Sequence, residues 1–334
     1  MAKNNIDKSN MREVIIESAN QLTKGLDLAK DFKAEGDFRN VVVCGIGGSA
    51  LPVNVLNTIV KSSVPVSVHR DYGLPAEANG NSLVICISYS GNTEETISAL
   101  EEATQRNLKT VCIATGGKVE EICKKTNTPL VKIPSGIQPR SATGYIFSVL
   151  GKILSNSGII KDISAEILQA VDKLNSVNSS LEKDGKKLAN KLVKKIPIVY
   201  ASNNFKALAR IWKIKFNENS KIPAFHNYFP ELNHNEMVGY TGLKKLGAKN
   251  LFVIILQDST DHPRIIKRIK LTSNLIKKSG GKVEVLNIKD GSPTFKIFSS
   301  LLLGDWTSYY LALNKKIDPT PVDMVEEFKK LMTK

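Results

Sequence analysis

Ser82-Leu-Val-Ile-Cys-Ile-Ser-Tyr-Ser-Gly-Asn-Thr-Glu-Glu-Thr96 decides the fold. Its apolar run, Ser82 to Ile87, reads as a buried strand, and Ile97, Leu100 and Ala103 then recur on one helix face. The polar stretch Ser88-Tyr-Ser-Gly-Asn-Thr93 therefore falls where a strand C-terminus turns into a helix N-terminus. Free backbone N–H groups and the positive end of the helix dipole converge there. Such a cradle suits a phosphate monoester, which needs many donors. A helix cap is the plain alternative, since Asn92 and Glu95 fit a capping box, but a cap uses only one of the polar side chains.

A glycine-rich turn precedes it. Asn40-Val-Val-Val-Cys44 reads as another buried strand, and Gly45-Ile-Gly-Gly-Ser-Ala50 follows before an apolar helix through Leu56 and Ile59. Gly45, Gly47 and Ala50 match the loose dinucleotide pattern, with Asp71 as a candidate ribose partner. That is the competing reading. A Walker A loop is excluded, because no Gly-Lys-Ser/Thr follows. Against a dinucleotide, the hydroxyls of the later loop suit a compact phosphate.

Outward from these loops, β–α alternation spreads along the chain. Strands are expected near Val41–Cys44, Val64–His69, Leu83–Ile87, Thr110–Ala114 and Leu130–Ile133, after an amphipathic helix over about Met11–Asp31. A Ser/Asn/Gly-rich stretch near Ser155–Asp162 marks the expected boundary. Beyond it come strands near Ile196–Ala201, Leu251–Leu256 and Val283–Ile288, with helices over Phe205–Asn217, Pro263–Lys278 and Thr294–Leu313. Short apolar strands separated by helices predict an α/β protein of parallel sheets covered on both faces. Ser202-Asn-Asn204 lacks the phosphate-loop glycines, so a duplicated second half is expected to have lost its cradle.

Gly45-Ile-Gly-Gly-Ser49, Ser88-Tyr-Ser-Gly-Asn-Thr93 and Pro139-Arg-Ser-Ala-Thr-Gly144 together resemble a sugar isomerase (SIS) domain. Phe216-Asn-Glu-Asn219 with Lys221-Ile-Pro-Ala224, Pro230-Glu-Leu-Asn-His-Asn-Glu236 and the tail Asp318-Pro-Thr-Pro-Val322 narrow the resemblance. The set is similar to the bifunctional phosphoglucose/phosphomannose isomerases of archaea and some bacteria, from about Asn40 to the C-terminus. The resemblance implies two SIS-type domains, residues 1–156 with the phosphate-binding loops and residues 157–334 with the base and a ring-opening histidine. It implies conversion of glucose 6-phosphate and mannose 6-phosphate to fructose 6-phosphate through a cis-enediol, with neither cofactor nor metal. The implied assembly is a homodimer whose active sites lie at the subunit interface, the histidine coming from the neighbouring chain.

Residue by residue, Gly47, Gly48, Ser49, Ser88, Ser90 and Thr93 are the expected phosphate anchors. Arg140, permanently charged, is expected to stabilise the enediolate. Glu218 is the candidate base and His234 the candidate for ring opening. Each has a plain alternative: a turn serine, a surface arginine, a solvated helix-end glutamate, a loop histidine. In the tail, Thr320 is the candidate near the sugar's C2–C3 end and Lys329 the candidate lysine, with Lys330 an alternative register. The four histidines, 69, 226, 234 and 262, offer no close helical pair for a metal, and His234-x-Glu236 lacks the Pro-Cys-x-x-Cys of a zinc deaminase.

The chain has 334 residues, enough for two modest cores. No apolar run has the length of a membrane span, and the N-terminus shows no signal-peptide core. Cys44, Cys86, Cys112 and Cys123 have no C-x-x-C spacing; the first three lie in strand-like runs and read as small apolar side chains, and the set is expected of a reduced, cytoplasmic protein. The net charge of +15 admits nucleic acid, but no nucleic-acid motif appears and aromatics do not interleave with the basic residues. Neither nucleic acid nor membrane is expected as a partner. Two alternatives remain: an SIS isomerase of another phosphosugar, or a non-catalytic sugar-phosphate sensor, which usually carries a helix-turn-helix domain.

Overall fold

The structure, a computed structural model, describes residues 6–243 and 250–332. The chain divides into two compact units. One comprises Glu17–Asn175 with Ser292–Phe295, and the other holds the chain up to Ile16, Ser176–Gly291 and Lys296 onward.

In the first unit, strands β1 (Asn40–Cys44), β2 (Val66–His69), β3 (Ser82–Ser88), β4 (Lys109–Ala114) and β5 (Leu130–Lys132) form one sheet in the order β2-β1-β3-β4-β5. Every neighbour pair is parallel. All of β3 is buried, which is why its sequence is a continuous apolar run rather than an alternation. Helices α3 (Leu51–Ile59), α4 (Glu94–Gln105), α5 (Gly117–Thr126) and α6 (Thr143–Asn156) cover the sheet. On one face Val42, Val84 and Ala114 pack with Ile97, Leu100 and Ala103 of α4 and Val119 of α5. Cys44, Cys86 and Cys112 lie side by side across β1, β3 and β4. They and Cys123 are free and buried, filling the core as small apolar side chains.

The second unit repeats the plan. Strands β6 (Ile196–Ser202), β7 (Phe225–Phe229), β8 (Leu251–Gln257) and β9 (Lys282–Asn287) pair in parallel in the order β7-β6-β8-β9. Helices α8 (Lys206–Ser220), α9 (Glu236–Gly239), α10 (Pro263–Lys278), α11 (Pro293–Asn314) and α12 (Asp323–Met332) follow within or beyond the sheet, and α7 (Ser164–Lys191) links the two stretches of chain. In both sheets the first strand lies between the second and third, so loops after the first and third strands part on opposite sides of a switch point.

Two expectations change. The single helix over Met11–Asp31 is two, α1 (Met11–Ile16) and α2 (Asn20–Leu28), joined by a 3-10 turn at Glu17–Ala19. The one apolar stripe serves two cores: Met11 and Ile15 pack with Leu181, Leu302, Trp306 and Tyr309 of the second unit, whereas Leu22 and Leu26 are buried in the first. Strand β7 was not expected, because Phe-His-Asn-Tyr-Phe lacks a β-branched residue and has Phe225 56% exposed at the sheet edge.

At the switch point of the second sheet, beyond β8, the chain supplies its own anion. The Asp258 carboxylate, fully buried, accepts the Lys296 ammonium at 2.8 and 3.0 Å, the Thr260 N–H at 2.8 Å, and the Thr260 hydroxyl. Burial alone would raise this carboxyl, yet Lys296 and Thr260 together hold it below its ordinary value. Its stabilising contribution is therefore present above the unfolded carboxyl range and lost as pH falls through the depressed folded value.

Lys296→Met should destabilise the protein by about 3–5 kcal/mol at pH 7, because an uncompensated carboxylate stays buried. Adding Asp258→Asn, which keeps an acceptor for the Thr260 N–H, should recover more than half of the loss. Urea unfolding checks both, and the gap between Lys296→Met and wild type should narrow as pH falls, because burial without Lys296 raises the carboxyl and its protonation removes the uncompensated charge.

Candidate active site

In the first unit, loops from three strand ends meet. The turn Gly47–Ser49 follows β1 and backs directly onto the turn Pro139–Ser141 beyond β5. A Cβ on Gly48 would stand 2.7 Å from the Pro139 carbonyl carbon and 2.8 Å from the Arg140 nitrogen, closer than any side chain allows. The third loop, after β3, joins them through Ser49, whose hydroxyl accepts the Tyr89 N–H at 3.0 Å. Within that loop the hydroxyls of Ser88 and Thr93 are 2.8 Å apart. Gly91 has φ +72°, and a Cβ there would meet the Gly116 carbonyl oxygen at 1.7 Å, so only glycine fits the turn. The structure thus brings together Gly47, Gly48, Ser49, Ser88, Thr93 and Arg140, with Ser90 exposed on the same loop.

The capping box is corrected. Thr93, not Asn92, is the N-cap of α4 and makes no side-chain cap, since its hydroxyl pairs with Ser88. The Asn92 carboxamide oxygen instead accepts the Lys118 N–H at 3.0 Å, fastening the loop to α5. Glu94 and Glu95 in the first turn of α4 suit the helix dipole but repel an incoming anion. Arg140, 2% exposed, supplies the opposing permanent charge beside the same loops.

Glu218 lies half-buried in the last turn of α8, which ends in Lys221 with φ +51°. The Lys221 ammonium donates to the Glu218 carbonyl at 2.5 Å and to the Pro319 carbonyl at 3.0 Å. Thr320 is next in the chain, its N–H held by Asp318 at 3.0 Å, so the tail carrying Thr320 is tied to the helix end carrying Glu218. Lys315 reinforces that end by donating to the Ser220 and Lys221 carbonyls at 2.9 and 3.1 Å, and burial lowers its pKa. His234 is exposed on the segment between β7 and α9. Lys329, on α12, pairs with Glu326 at 2.9 Å with its side chain 62% exposed.

Several supporting residues were not foreseen. Gln21 of α2, 5% exposed, donates to the Ser141 carbonyl at 2.9 Å and so holds the Arg140 turn. A polar side chain next to Leu22 on the apolar stripe was the available signal. Tyr89 sits inside the quoted motif, and its hydroxyl bridges the Pro134 carbonyl at 3.1 Å and the Ile137 N–H at 3.2 Å on the segment leading to Arg140. Burial raises that phenol, so it stays a donor. Lys221 lies in the quoted Lys221-Ile-Pro-Ala224 segment but carried no expected role, and Lys315 had no signal beyond lying near a helix end. Among the described residues, no group of three or more His, Cys, Asp or Glu side chains is arranged to hold a metal ion.

The model of the SIS domain matches residues 39–133, and that of the bacterial phospho-glucose isomerase C-terminal SIS domain matches residues 181–332. A bifunctional phosphoglucose/phosphomannose isomerase of Caldicellulosiruptor bescii is 38% identical over 96% of this chain and 98% of its own. One from Thermoplasma acidophilum is 36% identical over 88% of this chain and 90% of its own. A D-glucosamine-6-phosphate 4-epimerase of Sulfolobus acidocaldarius is 31% identical over 70% and 74%. Among solved structures, a hypothetical protein from Thermus thermophilus superposes with a TM-score of 0.77 at 17% identity, covering 99% of this chain and 91% of that one. Tagatose-6-phosphate ketose/aldose isomerase from Escherichia coli gives 0.66 at 16% identity, covering 92% and 93%. Those two likenesses show the fold. The dinucleotide reading falls with these matches, and the chain belongs to the bifunctional phosphoglucose/phosphomannose isomerase family.

Proposed function

We propose that this protein interconverts glucose 6-phosphate and mannose 6-phosphate with fructose 6-phosphate through a cis-enediol. The observation that carries the reading is the meeting of Gly48, the Ser88–Thr93 hydroxyl pair and buried Arg140 at one switch point, in a chain of this family. Family membership supplies the reaction; the loops supply its chemical demands.

The phosphate, which takes no part in the chemistry, is anchored by Ser49, Ser88, Ser90 and Thr93 with the backbone of Gly47 and Gly48. Its binding energy positions the reacting carbons. His234 moves the proton that opens the ring. Glu218 then carries one proton between C2 and C1, and a single carboxylate suffices because both carbons lie on one enediol. Arg140 holds the oxygen that turns negative, which a guanidinium does without itself changing protonation. Thr320 borders the C2–C3 end of the sugar, supported by the Lys221 tie between its segment and the Glu218 helix end. Lys329 has only the family's matching lysine as support, with Lys330 the other register.

We take the working form to be a homodimer in the cytoplasm. The support is the family, the four free cysteines, and an exposed apolar face on α12, where Met324 is 85% and Phe328 60% exposed. Among the described residues no helix is long and apolar enough to cross a membrane. Residues 1–156 and 157–334 remain our proposed halves for the phosphate loops and for the base with its histidine. A second reading, action on another hexose 6-phosphate, is favoured by the epimerase among the relatives.

The direct assay offers glucose, mannose and glucosamine 6-phosphates separately to purified protein with a chelator present. Both neutral sugars should yield fructose 6-phosphate; turnover of glucosamine 6-phosphate alone would move the assignment to the second reading. Gly48→Ala should drive the Arg140 turn off the cradle and weaken fructose 6-phosphate binding at least tenfold by calorimetry, roughly 1.4 kcal/mol. Gly80→Ala, where a Cβ meets nothing within 4 Å, is the matched control and should bind as wild type. Glu218→Gln should lose roughly 10²–10⁴-fold in kcat on both aldoses while still binding substrate, as removal of a general base does. A near wild-type rate would send the search for the base to Glu231 or Glu236.

A further inference from the structure

The segment from Pro230 to Tyr240 would be an ordinary surface loop but for anchors on both sides of His234. Two residues after it, the Glu236 carboxylate accepts the Tyr200 hydroxyl and, at 2.6 Å, the Asn227 carboxamide N–H. Tyr200 and Asn227 are register partners on β6 and β7, so this carboxylate is fastened to two adjacent strands at once. Tyr200 is fully buried and its hydroxyl lies 2.5 Å from that of Tyr240, which closes the segment and is 6% exposed. Burial, Tyr240 and Glu236 raise the Tyr200 phenol far above its ordinary range, so it donates at any working pH.

Just before the histidine, the Asn233 carboxamide donates to the Thr272 hydroxyl at 2.8 Å and accepts from Arg268 at 3.3 Å, both on α10. Leu232 is fully buried in the core beneath. His234 itself is exposed, and its backbone N–H donates to the Glu231 carbonyl at 3.0 Å. That bond fixes the main chain at this residue and leaves the side chain exposed between fastened flanks. A loop of no consequence needs no such device, because holding a carboxylate against a buried phenol costs desolvation that plain apolar packing would avoid.

We propose that Glu236, held by Tyr200 and Asn227, is a positioning residue that fixes His234 for ring opening. The proposal rests on the reading of His234 as the ring-opening group. In that role Glu236 acts through the histidine backbone rather than on a reacting atom, and a displacement of about 1 Å at such a group can cost roughly 10²-fold in rate.

Ring opening and proton transfer can be read separately. Opening followed by closure exchanges the anomers of glucose 6-phosphate, which exchange NMR follows, whereas isomerisation also needs the base. Glu236→Ala and Tyr200→Phe should lower anomer exchange and kcat together by roughly 10–100-fold, with KM for fructose 6-phosphate little changed. Glu218→Gln should lower only isomerisation. In a His234→Ala background, Glu236→Ala should add less than about twofold, because both changes remove one function. Tyr200→Phe deletes a single hydroxyl and is the variant least able to disturb the fold, which circular dichroism checks. Wild-type anomer exchange in both Glu236→Ala and Tyr200→Phe, or losses that multiply with His234→Ala, would overturn the positioning role while leaving His234 its own. Unchanged anomer exchange in His234→Ala would remove the ring-opening reading and this proposal with it.

Discussion

The contact between Gly48 and the backbone of Pro139 and Arg140 is the constraint on which the first unit's site depends. A parallel sheet sends every strand's C-terminal loop to one edge, but that alone leaves the loops after β1, β3 and β5 apart. Gly48 lets the first and last of them touch, since any Cβ would stand 2.7 Å from the Pro139 carbonyl carbon. Ser49 then takes the Tyr89 N–H and brings in the loop after β3. Gln21 and the Tyr89 hydroxyl brace the Arg140 turn from outside. A buried guanidinium, hydroxyls and backbone N–H groups thereby share one corner. Without that contact the same residues would be three unrelated turns.

The second unit shows what the same strand order becomes without the glycines. Its loop after β8 opens on Asp258, whose carboxylate is already satisfied by Lys296 and Thr260. An anion is thus built into the chain at a switch point that matches the one carrying the hydroxyl loop in the first unit. Other polar contacts of the unit gather at the end of α8, where Lys221 and Lys315 cap the turn bearing Glu218, and around Glu236. In the proposed reaction the two units divide the labour, the first holding the phosphate and the second supplying the groups for proton transfer.

Much of this was legible in the residues. Strands β1, β3, β6 and β8 are apolar runs because they are buried on both faces. The hydroxyl loop was legible because its glycines and serines fit neither a helix nor a strand interior. The edge strand β7 was not, since an exposed edge relaxes the demand for apolar, β-branched residues. Nor was the break between α1 and α2, because one amphipathic stripe cannot announce that its halves join different cores. The capping box failed for a third reason: Thr93 and Asn92 had better partners in Ser88 and Lys118, which local spacing does not show. Contacts such as Gln21 with Ser141, 120 residues apart, lie beyond any local pattern.

We propose one phosphate cradle per chain for both aldoses, because the second switch point holds its own carboxylate. Mixed-substrate kinetics test this most directly. With glucose 6-phosphate and mannose 6-phosphate both saturating, the two must compete for one site, so fructose 6-phosphate should form at a rate between the two single-substrate maxima. Formation at the sum of those maxima would mean two independent sites and would rule out a shared cradle.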